Sequence, residues 1–271
     1  MMPGVPREMR GMLSEELLPA IKARAAGEQS VVLSGTLRTT GIAESAIAEL
    51  LGTNPLGEPG TELGSLPLAY LPGVAGVDLR VTVKGLPRAR AEKLVNEAIV
   101  KLKGRVAAYA YGVDDADLAA VVLEKCRGLG FTLAVAESCT GGMLGERLTN
   151  IPGSSDVFLG GVIAYHNDVK LDLLGVRRED IEKFGAVSEE VALRMASGIR
   201  ERLGADVGVS VTGIAGPGGG TAEKPVGLVW IAVHASELKA RRFHVGGDRA
   251  EIRQRAAQAA LEMVRRALSN G

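Results

Sequence analysis

The sequence predicts an α/β protein in two parts: a three-layer carboxyl-terminal domain with a mixed, largely parallel sheet, and before it a smaller α+β domain. Strand-like and helix-like segments alternate after about residue 112, which is typical of a sheet covered by helices on both faces. Between residues 30 and 110 the order is strand, helix, two strands, helix, strand, the split βαβ arrangement. Hydrophobic residues make up 46% of the chain and aromatic residues only 3%, so both cores must be aliphatic.

Three segments follow one another along the chain. Residues 1–28 look like the end of a domain, in which a turn leads into a helix over 7–25, interrupted at Pro19. We expect this helix either to pack on the next domain or to be the last helix of a domain that this chain lacks. Residues 29–111 are predicted to form the small domain and residues 112–271 the large one, with a linker from Gly112 to Asp115.

Hydrophobic patterning, together with the glycines and prolines that interrupt it, predicts the individual elements. In the small domain we predict strands over 31–39, 66–71, 77–83 and 106–109, helices over 42–51 and 88–102, and a loop over 54–65. In the large domain we predict helices over 117–129, 141–149, 167–173, 178–184, 188–203 and 248–268, and strands over 131–137, 157–165, 206–212, 226–234 and 239–245.

Charge and cysteine content restrict the environment and the partners of the protein. The chain has 32 basic and 32 acidic residues, so no overall field attracts nucleic acid or an anionic membrane, and we expect neither partner. Two cysteines cannot make a disulfide framework, the first residues lack the apolar core of a signal peptide, and no apolar run is long enough to span a bilayer. We therefore expect a cytoplasmic protein. No residue cluster has metal-ligand spacing, and neither a metal nor another cofactor is predicted.

The most informative segment is residues 132–142, where a largely apolar run ends in Glu-Ser-Cys-Thr-Gly-Gly before a predicted helix. Such a turn holds a nucleophile at the carboxyl end of a sheet and directs free backbone N–H groups at a ligand. Ser138 and Cys139 compete for the role of nucleophile. Adjacent residues at a strand end point in opposite directions, so only one of them faces the pocket. We favour Ser138, although the greater nucleophilicity of a thiol leaves Cys139 as an alternative.

A serine nucleophile needs a base within hydrogen-bonding distance. His234 lies within a predicted strand, and His166 and His244 lack an evident carboxylate to orient them. Lys170 lies one helical turn beyond the end of the strand predicted over 157–165, beside the strand that carries Ser138. It can serve as a base if burial lowers its pKa, whereas a solvated lysine on a helix face is the alternative.

Two further segments resemble anion sites. The cluster Thr212–Gly220 follows an apolar strand, as a phosphate- or oxyanion-binding loop should, because successive N–H groups form an anion nest. A flexible glycine-rich loop is the alternative. At the start of the last predicted helix, Asp248 fits an N-cap and Arg249 could fork onto a phosphate. Tyr165, at the end of its strand, could orient the nucleophile or stack on a planar ring.

Seven motifs, in this order, resemble the CinA C-terminal domain, the nicotinamide-nucleotide amidase also called PncC. They are Ala136–Gly142, Pro152–Ser155, Tyr165–Lys170, Gly185–Ser188, Thr212–Pro217, Lys224–Gly227 and Gly247–Arg249. Residues 30–110 resemble the KH-type middle domain of the same family. Pro3–Met9 resembles the tail of its molybdopterin-binding-like first domain, of which the rest is absent, so the metal-dependent pyrophosphatase activity of that domain is not carried over.

The resemblance implies hydrolysis of the carboxamide of nicotinamide mononucleotide to nicotinate mononucleotide and ammonia, a step of pyridine nucleotide salvage, by a homo-oligomer, for which we expect a dimer. It implies Ser138 as nucleophile, Lys170 as base and Tyr165 as an assisting residue. The residues predicted to contact substrate are Glu137, Thr140, Gly141, Gly142, Thr212, Gly213, Ala215, Gly216 and Arg249.

The rival hypothesis is a non-catalytic nucleotide sensor, or a partner-binding module linked to competence and DNA damage. A KH domain grips nucleic acid with a Gly-x-x-Gly loop between two helices. This spacing occurs at Gly57–Gly60 and Gly73–Gly76, and neither is predicted to join two helices, so direct nucleic-acid binding is not expected.

Overall fold

The structure is a computed structural model that describes residues 6–24 and 30–269. Its first helical run comprises α1 (Pro6–Met12), a π-helical turn (Leu13–Leu17) and α2 (Leu18–Arg24). Proline lacks the N–H that an α-helix requires, and the wider π-turn before Pro19 accommodates it without ending the run. The regular α-helix is therefore interrupted just before Pro19, although the helical run continues to Arg24. The predicted last residue, 25, and the start of the Pro3–Met9 motif lie outside the described residues.

The small domain has the predicted split βαβ topology. Its elements are β1 (Ser30–Thr39), α3 (Glu44–Leu51), β2 (Leu68–Gly73), β3 (Gly76–Pro87), α4 (Arg88–Arg105) and β4 (Ala110–Val113). The strand order is β2-β3-β1-β4 and every pairing is antiparallel. Its core is aliphatic, and α4 packs on β1 and β3. The segment Gly73–Gly76 closes the β2–β3 hairpin and Gly57–Gly60 lies between α3 and β2, so neither joins two helices.

The last strand of this domain lies four residues later than predicted. Residues 106–109 form a turn in which the amide of Val106 donates to the carbonyl of Leu102 and the amide of Ala110 donates to the carbonyl of Val106. Val106 is apolar because it enters the core, and not because it belongs to a strand. Strand β4 pairs with β1, with Gly112 opposite Arg38, so the predicted linker begins inside the sheet.

The large domain is the predicted three-layer fold. Its helices are α5 (Leu118–Leu129), α6 (Met143–Thr149), α7 (Asn167–Leu174), α8 (Arg178–Phe184), α9 (Glu189–Leu203) and α10 (Arg249–Ala267). Its strands are β5 (Leu133–Glu137), β6 (Phe158–Ile163), β7 (Val207–Gly213), β8 (Leu228–His234) and β9 (Leu238–His244). Helices α5, α6 and α10 cover one face, and α7 and α9 cover the other.

The sheet order is β6-β5-β7-β8-β9. Strands β6 and β7 pair parallel with β5, whereas β8 pairs antiparallel with β7 and β9 pairs antiparallel with β8. The sheet is therefore mixed, and its block of parallel pairing comprises three strands. Glu137 pairs with Ile163 on one side and with Val211 on the other. The carboxyl ends of the three parallel strands therefore meet at one edge, which is the usual position of a ligand site in such a sheet.

Helix α10 also contacts the small domain. The side-chain amide of Gln258 donates to the Thr40 hydroxyl (3.2 Å) and to the Ala75 carbonyl (2.8 Å), and its oxygen accepts from Arg147 (2.7 Å). A cleft of about 810 Å³ lies beside these contacts. Among the described residues, no helix combines the length and the apolar character needed to cross a bilayer.

Candidate active site

The turn between β5 and α6 is fixed by its own backbone. The amide of Ser138 donates to the carbonyl of Val211 on β7 (2.9 Å), and the amide of Gly141 donates to the Ser138 carbonyl (3.1 Å). Gly142 has a φ of 97° and lies against Ile163, whose Cδ1 is 3.1 Å from the position that a Cβ would take. A side chain at this position would therefore be strained as well as crowded.

Glu137 has a role that the sequence did not predict. Its buried carboxylate accepts hydrogen bonds from the amides of Gly142 (3.0 Å), Leu144 (3.0 Å) and Gly145 (2.8 Å). These amides belong to the first turn of α6, where N–H groups lack partners within the helix and a negative charge is favourable. The carboxylate thus ties the end of β5 to the start of α6. Its predicted contact with substrate stays a prediction.

The hydrogen bonds within the turn show which of its backbone amides are available to an oxyanion. The amides of Gly141 and Gly142 are already engaged, whereas those of Cys139 and Thr140 donate to no oxygen of the residues that the structure describes and interact with the Cys139 sulfur. The Thr140 carbonyl accepts from Arg253 Nη2 (2.7 Å). The Thr140 hydroxyl is fully buried and has no partner in the described part of the chain. Two adjacent amides, rather than the glycine amides, remain for a developing negative charge.

Cys139 packs into the core. Its side chain belongs to the apolar cluster beneath α6 and α10, and burial raises the pKa of the thiol to about 12. The sulfur lies 3.1 Å from where a Cβ on Gly213 would be, so the glycine at the end of β7 makes room for it. Since the thiolate is the nucleophilic form, this environment favours Ser138 over Cys139.

Lys170 is the fourth residue of α7 and is almost completely buried, with only 1% of its surface exposed. Its Nζ donates to the carbonyls of Ala164 (2.8 Å) and Tyr165 (3.3 Å). Burial lowers the pKa of the amine, and a charge on nearby Cys139 would oppose this shift. A neutral amine has two N–H groups and one lone pair. The two carbonyls match the two N–H groups, which leaves the lone pair free to accept a proton.

Tyr165 and Arg249 are in contact. Tyr165 is 62% exposed, and its hydroxyl accepts from Arg249 Nη2 (3.1 Å). Arg249 Nη1 donates to the Gly216 carbonyl (2.5 Å). The predicted N-cap is confirmed. The Asp248 side chain accepts from the Glu251 amide, and the Glu251 side chain accepts from the Asp248 amide, which is a capping box. The end of β6, the loop after β7 and the start of α10 thus converge on one arginine.

The glycine-rich loop after β7 is tied down by polar contacts of its own. The Thr212 hydroxyl donates to the Ala186 carbonyl (2.8 Å), Ala215 is buried in the core, and the Lys224 amine donates to the Val187 carbonyl (2.8 Å). These contacts join the loop to the segment between α8 and α9. Direct substrate contacts of Thr212, Gly213 and Ala215 stay predictions.

Arg253 is the site residue that sequence reasoning missed. Its guanidinium donates to the Thr140 carbonyl and lies 3.4 Å from where a Cβ on Gly141 would be. The available signal was its spacing of four residues from Arg249, since residues four apart share one helix face. Both arginines therefore reach the site from the first turns of α10.

The histidines form no triad with Ser138. Contrary to the sequence expectation, a carboxylate does lie beside His166: Asp168 Oδ2 is 3.3 Å from Nδ1. This exposed imidazole caps α7 by accepting from the Asp168 amide. His234 hydrogen-bonds to Ser197 and Arg200 on α9. Among residues 6–24 and 30–269, no group of three or more His, Cys, Asp or Glu side chains could hold a metal ion.

Comparison with known proteins gives matches for both domains. Residues 115–268 match the family described as the CinA C-terminal domain, and residues 34–112 match the damage-inducible protein CinA KH domain. A CinA-like protein of Gemmatimonas aurantiaca is 53% identical over 270 residues, which are 99% of this chain and 62% of that protein. A putative competence-damage inducible protein of Halothermothrix orenii is 44% identical over 96% of this chain and 61% of its own length. The chain thus spans about three fifths of these relatives.

Solved structures of the same family also match this chain. The competence/damage inducible protein CihA of Agrobacterium tumefaciens is 46% identical with a TM-score of 0.54, over 56% of this chain and 93% of that one. A CinA superfamily protein of Escherichia coli is 32% identical with a TM-score of 0.53, over 55% of this chain and 87% of that one. With one family match covering more than half of the chain and a relative more than half identical along nearly all of it, the chain belongs to the CinA family.

Proposed function

We propose that this chain is an amidase that hydrolyses the carboxamide of nicotinamide mononucleotide, giving nicotinate mononucleotide and ammonia, with Ser138 as nucleophile and Lys170 as base. The observation that carries the proposal is the buried Lys170 amine, whose two hydrogen-bond acceptors are main-chain carbonyls and whose pKa is lowered by burial. A lysine whose pKa is lowered by burial in this way is suited to general-base catalysis.

In the first half-reaction, the lone pair of Lys170 takes the Ser138 proton while the serine oxygen bonds to the carboxamide carbon. The amides of Cys139 and Thr140 stabilise the oxyanion. The first of these is the amide that follows the nucleophile, a position used as an oxyanion donor in other serine hydrolases, and such a donor contributes about 2.7–4 kcal/mol. The protonated amine then gives its proton to the leaving nitrogen, the C–N bond breaks, and ammonia departs.

In the second half-reaction, water replaces ammonia. Lys170 accepts a proton as the water oxygen bonds to the acyl carbon, and the proton returns to Ser138 as the ester bond breaks. The products are the regenerated enzyme and the carboxylic acid, which ionises to the carboxylate and transfers its proton to the released ammonia or to water. The reaction needs no metal or other cofactor in this scheme.

Arginine and tyrosine side chains at the edge of the site suit the remainder of the substrate. A guanidinium binds phosphate in a bidentate manner, and Arg249 already bridges Tyr165 and the loop that contains Gly216. We assign Arg249 to the ribose phosphate and the exposed ring of Tyr165 to the pyridine. The proposal includes a cytoplasmic location, which the two free cysteines support.

The test is ammonia release from nicotinamide mononucleotide, measured beside the riboside and free nicotinamide, for the native chain and two neighbouring variants. Ser138→Ala should lower kcat by about 10³-fold or more, whereas Cys139→Ala should keep kcat within about tenfold because its thiol packs in the core. A fully active Ser138→Ala with an inactive Cys139→Ala overturns the assignment. Tight binding of the mononucleotide without any turnover would favour the nucleotide sensor instead.

A further inference from the structure

The cleft of about 810 Å³ between the small domain and α10 is separate from the candidate active site. One wall consists of the segment after β1 and the β2–β3 hairpin, and the other of the end of β9 and one face of α10. Ser138, Lys170, Tyr165 and Arg249 do not line it. Its volume lies within the range of roughly 300–1,000 Å³ that is usual for small-molecule sites.

Hydrogen bonds from α10 hold the two walls together. The buried side chain of Gln258 donates to the Ala75 carbonyl in the hairpin (2.8 Å). Further along the helix, Arg265 donates to the Ala108 carbonyl (3.0 Å). The cleft is therefore a fixed feature of the fold and not a gap between two unconnected domains.

Most charged side chains of the cleft are already paired. Three arginines and three glutamates line it. Glu262 accepts from Arg265 (2.7 Å) and from Arg266 (2.6 Å), and Glu251 accepts from the Asp248 amide in the capping box. These carboxylates are balanced by guanidiniums or by the start of a helix, where a negative charge is favourable.

Two guanidiniums and one carboxylate of the lining remain unpaired. Within the described part of the chain, Arg241, Arg255 and Glu44 make neither an ion pair nor a hydrogen bond through their side chains. Arg255 lies four residues after Glu251 and four before Ala259. All three line the cleft, so this face of α10 is directed into it. An excess of positive charge is thus available to a ligand.

Arg241 is held towards the cleft by its strand. It lies opposite Ile231 in the β8–β9 pair, and directly opposed residues lie on one face of a sheet. Ile231 belongs to the core that includes α10, so Arg241 is on the α10 face. Its guanidinium lies over the Phe243 ring, 5.3 Å from the centroid, which is a favourable contact. Arg242, the next residue, lies on the opposite face and does not line the cleft.

We propose that this cleft binds a nucleoside monophosphate, whose phosphate contacts Arg241 and Arg255. The planar fork of a guanidinium matches two phosphate oxygens, and two unpaired guanidiniums suit a dianion. Apolar side chains of the lining, among them Ile42, Val74 and Val245, suit the base. A polynucleotide is a poorer match, because the chain as a whole has no excess of basic residues.

The first experiment measures the binding of AMP, adenosine and inorganic phosphate to the full chain by isothermal titration calorimetry. We expect AMP to bind. Adenosine and inorganic phosphate should each bind at least about tenfold more weakly, because each lacks one part of the recognised ligand. Three results overturn the proposal: no binding of AMP at millimolar concentration, equal affinity for either fragment, or tighter binding of a single-stranded oligonucleotide than of AMP.

Matched variants locate the site. Arg241→Gln and Arg255→Gln should each raise the dissociation constant of AMP by at least about tenfold, since each removes a charged hydrogen-bonding pair. Arg242→Gln is the control on the opposite face, and Arg249→Gln tests whether AMP binds in the candidate active site instead. Circular dichroism checks the fold of all four. An affinity that is unchanged in Arg255→Gln, or reduced as much by Arg242→Gln or Arg249→Gln, overturns the proposal.

Glu44 gives a test of opposite sign. Its exposed carboxylate lines the cleft without a cationic partner in the described residues, so it opposes a bound anion. Glu44→Gln should lower the dissociation constant of AMP severalfold at low salt and by less at high salt, because salt screens exposed charges. Glu49→Gln, on the same helix but outside the lining, should have no effect. An unchanged or raised dissociation constant in Glu44→Gln overturns the placement of the phosphate.

Discussion

Two loops follow adjacent parallel strands and reach the same edge of the large sheet, yet they are built differently. The turn after β5 keeps two backbone amides without an oxygen acceptor in the described residues, and its Cys139 is near enough to the buried Lys170 amine to influence the pKa of that amine. At the end of β7 and in the loop after it, the Thr212 hydroxyl and the Lys224 amine donate to carbonyls, and the Gly216 carbonyl accepts from Arg249. The amides of Ala215, Gly216 and the three glycines 218–220 have no acceptor among the described residues. Both loops contain small residues and glycines, so sequence composition alone does not separate them.

The difference indicates where the chemistry is located. Backbone amides without acceptors in either loop can bind a ligand, but the β5 turn also carries Ser138 and lies near the buried Lys170 amine, whereas the polar side chains of the β7 loop are engaged in holding the fold. We infer that the β5 turn acts on the reacting atoms and that the β7 loop supports the wall around them. Both inferences can be tested by matched substitutions at the β5 turn and at the β7 loop.

The largest difference between the two loops is expected when a lysine beside each of them is substituted: Lys170 for the β5 turn and Lys224 for the β7 loop. Lys170→Met keeps the length of the side chain but removes the base, and we expect kcat for ammonia release to fall by about 10²–10⁴-fold, the usual contribution of general-base catalysis. Lys224 donates to the carbonyls of Phe184 and Val187. Lys224→Met should lower the free energy of unfolding by about 1.5–3 kcal/mol and change kcat by less than about tenfold.

Circular dichroism and chemical denaturation would show that both variants fold. If Lys224→Met lost as much turnover as Lys170→Met while keeping its fold, the β7 loop would carry chemistry, and the distinction between the loops would fail.

The sequence predicted most of the fold because local chemistry agrees with the tertiary structure in most elements. Asp117, Ser188 and Asp248 cap their helices as their positions suggest, and alternating segments produced the correct layers. It was wrong at residues 106–109, where an apolar residue at a helix end resembles a strand. The outcome there depends on backbone hydrogen bonds that composition does not encode.

The candidate site was only partly predictable for the same reason. Ser138, Lys170 and Arg249 stand out by residue type and by their place at strand or helix ends. Two contacts depend on three-dimensional neighbours and could not be predicted: Glu137 caps α6, and Arg253 donates to the Thr140 carbonyl. Sequence reasoning places a residue near a site, but the direction of a carboxylate within the turn follows from the fold.

The second comparison concerns stability. Glu137→Gln replaces an acceptor oxygen by an NH₂ group that faces backbone N–H donors, so we expect a loss of about 1–3 kcal/mol and a lower kcat, because the Ser138 turn loosens. Thr212→Val removes a single hydrogen bond to Ala186 and should cost about 0.5–1.5 kcal/mol without a change in kcat. Urea denaturation and the ammonia assay check both variants. A Thr212→Val variant that lost activity but not stability would contradict the supporting role of the β7 loop.

The smallest effect should be the most specific to the Lys170 amine. Its pKa in the folded chain lies below the ordinary value of 10.5. Between these two pKa values the unfolded chain binds a proton that the folded chain lacks, so stability rises with pH in this window. Lys170→Met has no such group, and other titrating groups cancel in the difference between the two proteins. The native chain should therefore gain stability relative to the variant as the pH rises toward 10.5, by at most about 1.4 kcal/mol per pH unit. Parallel stability curves would mean that Lys170 is charged in the folded protein over this range, and the amine could not then act as the base.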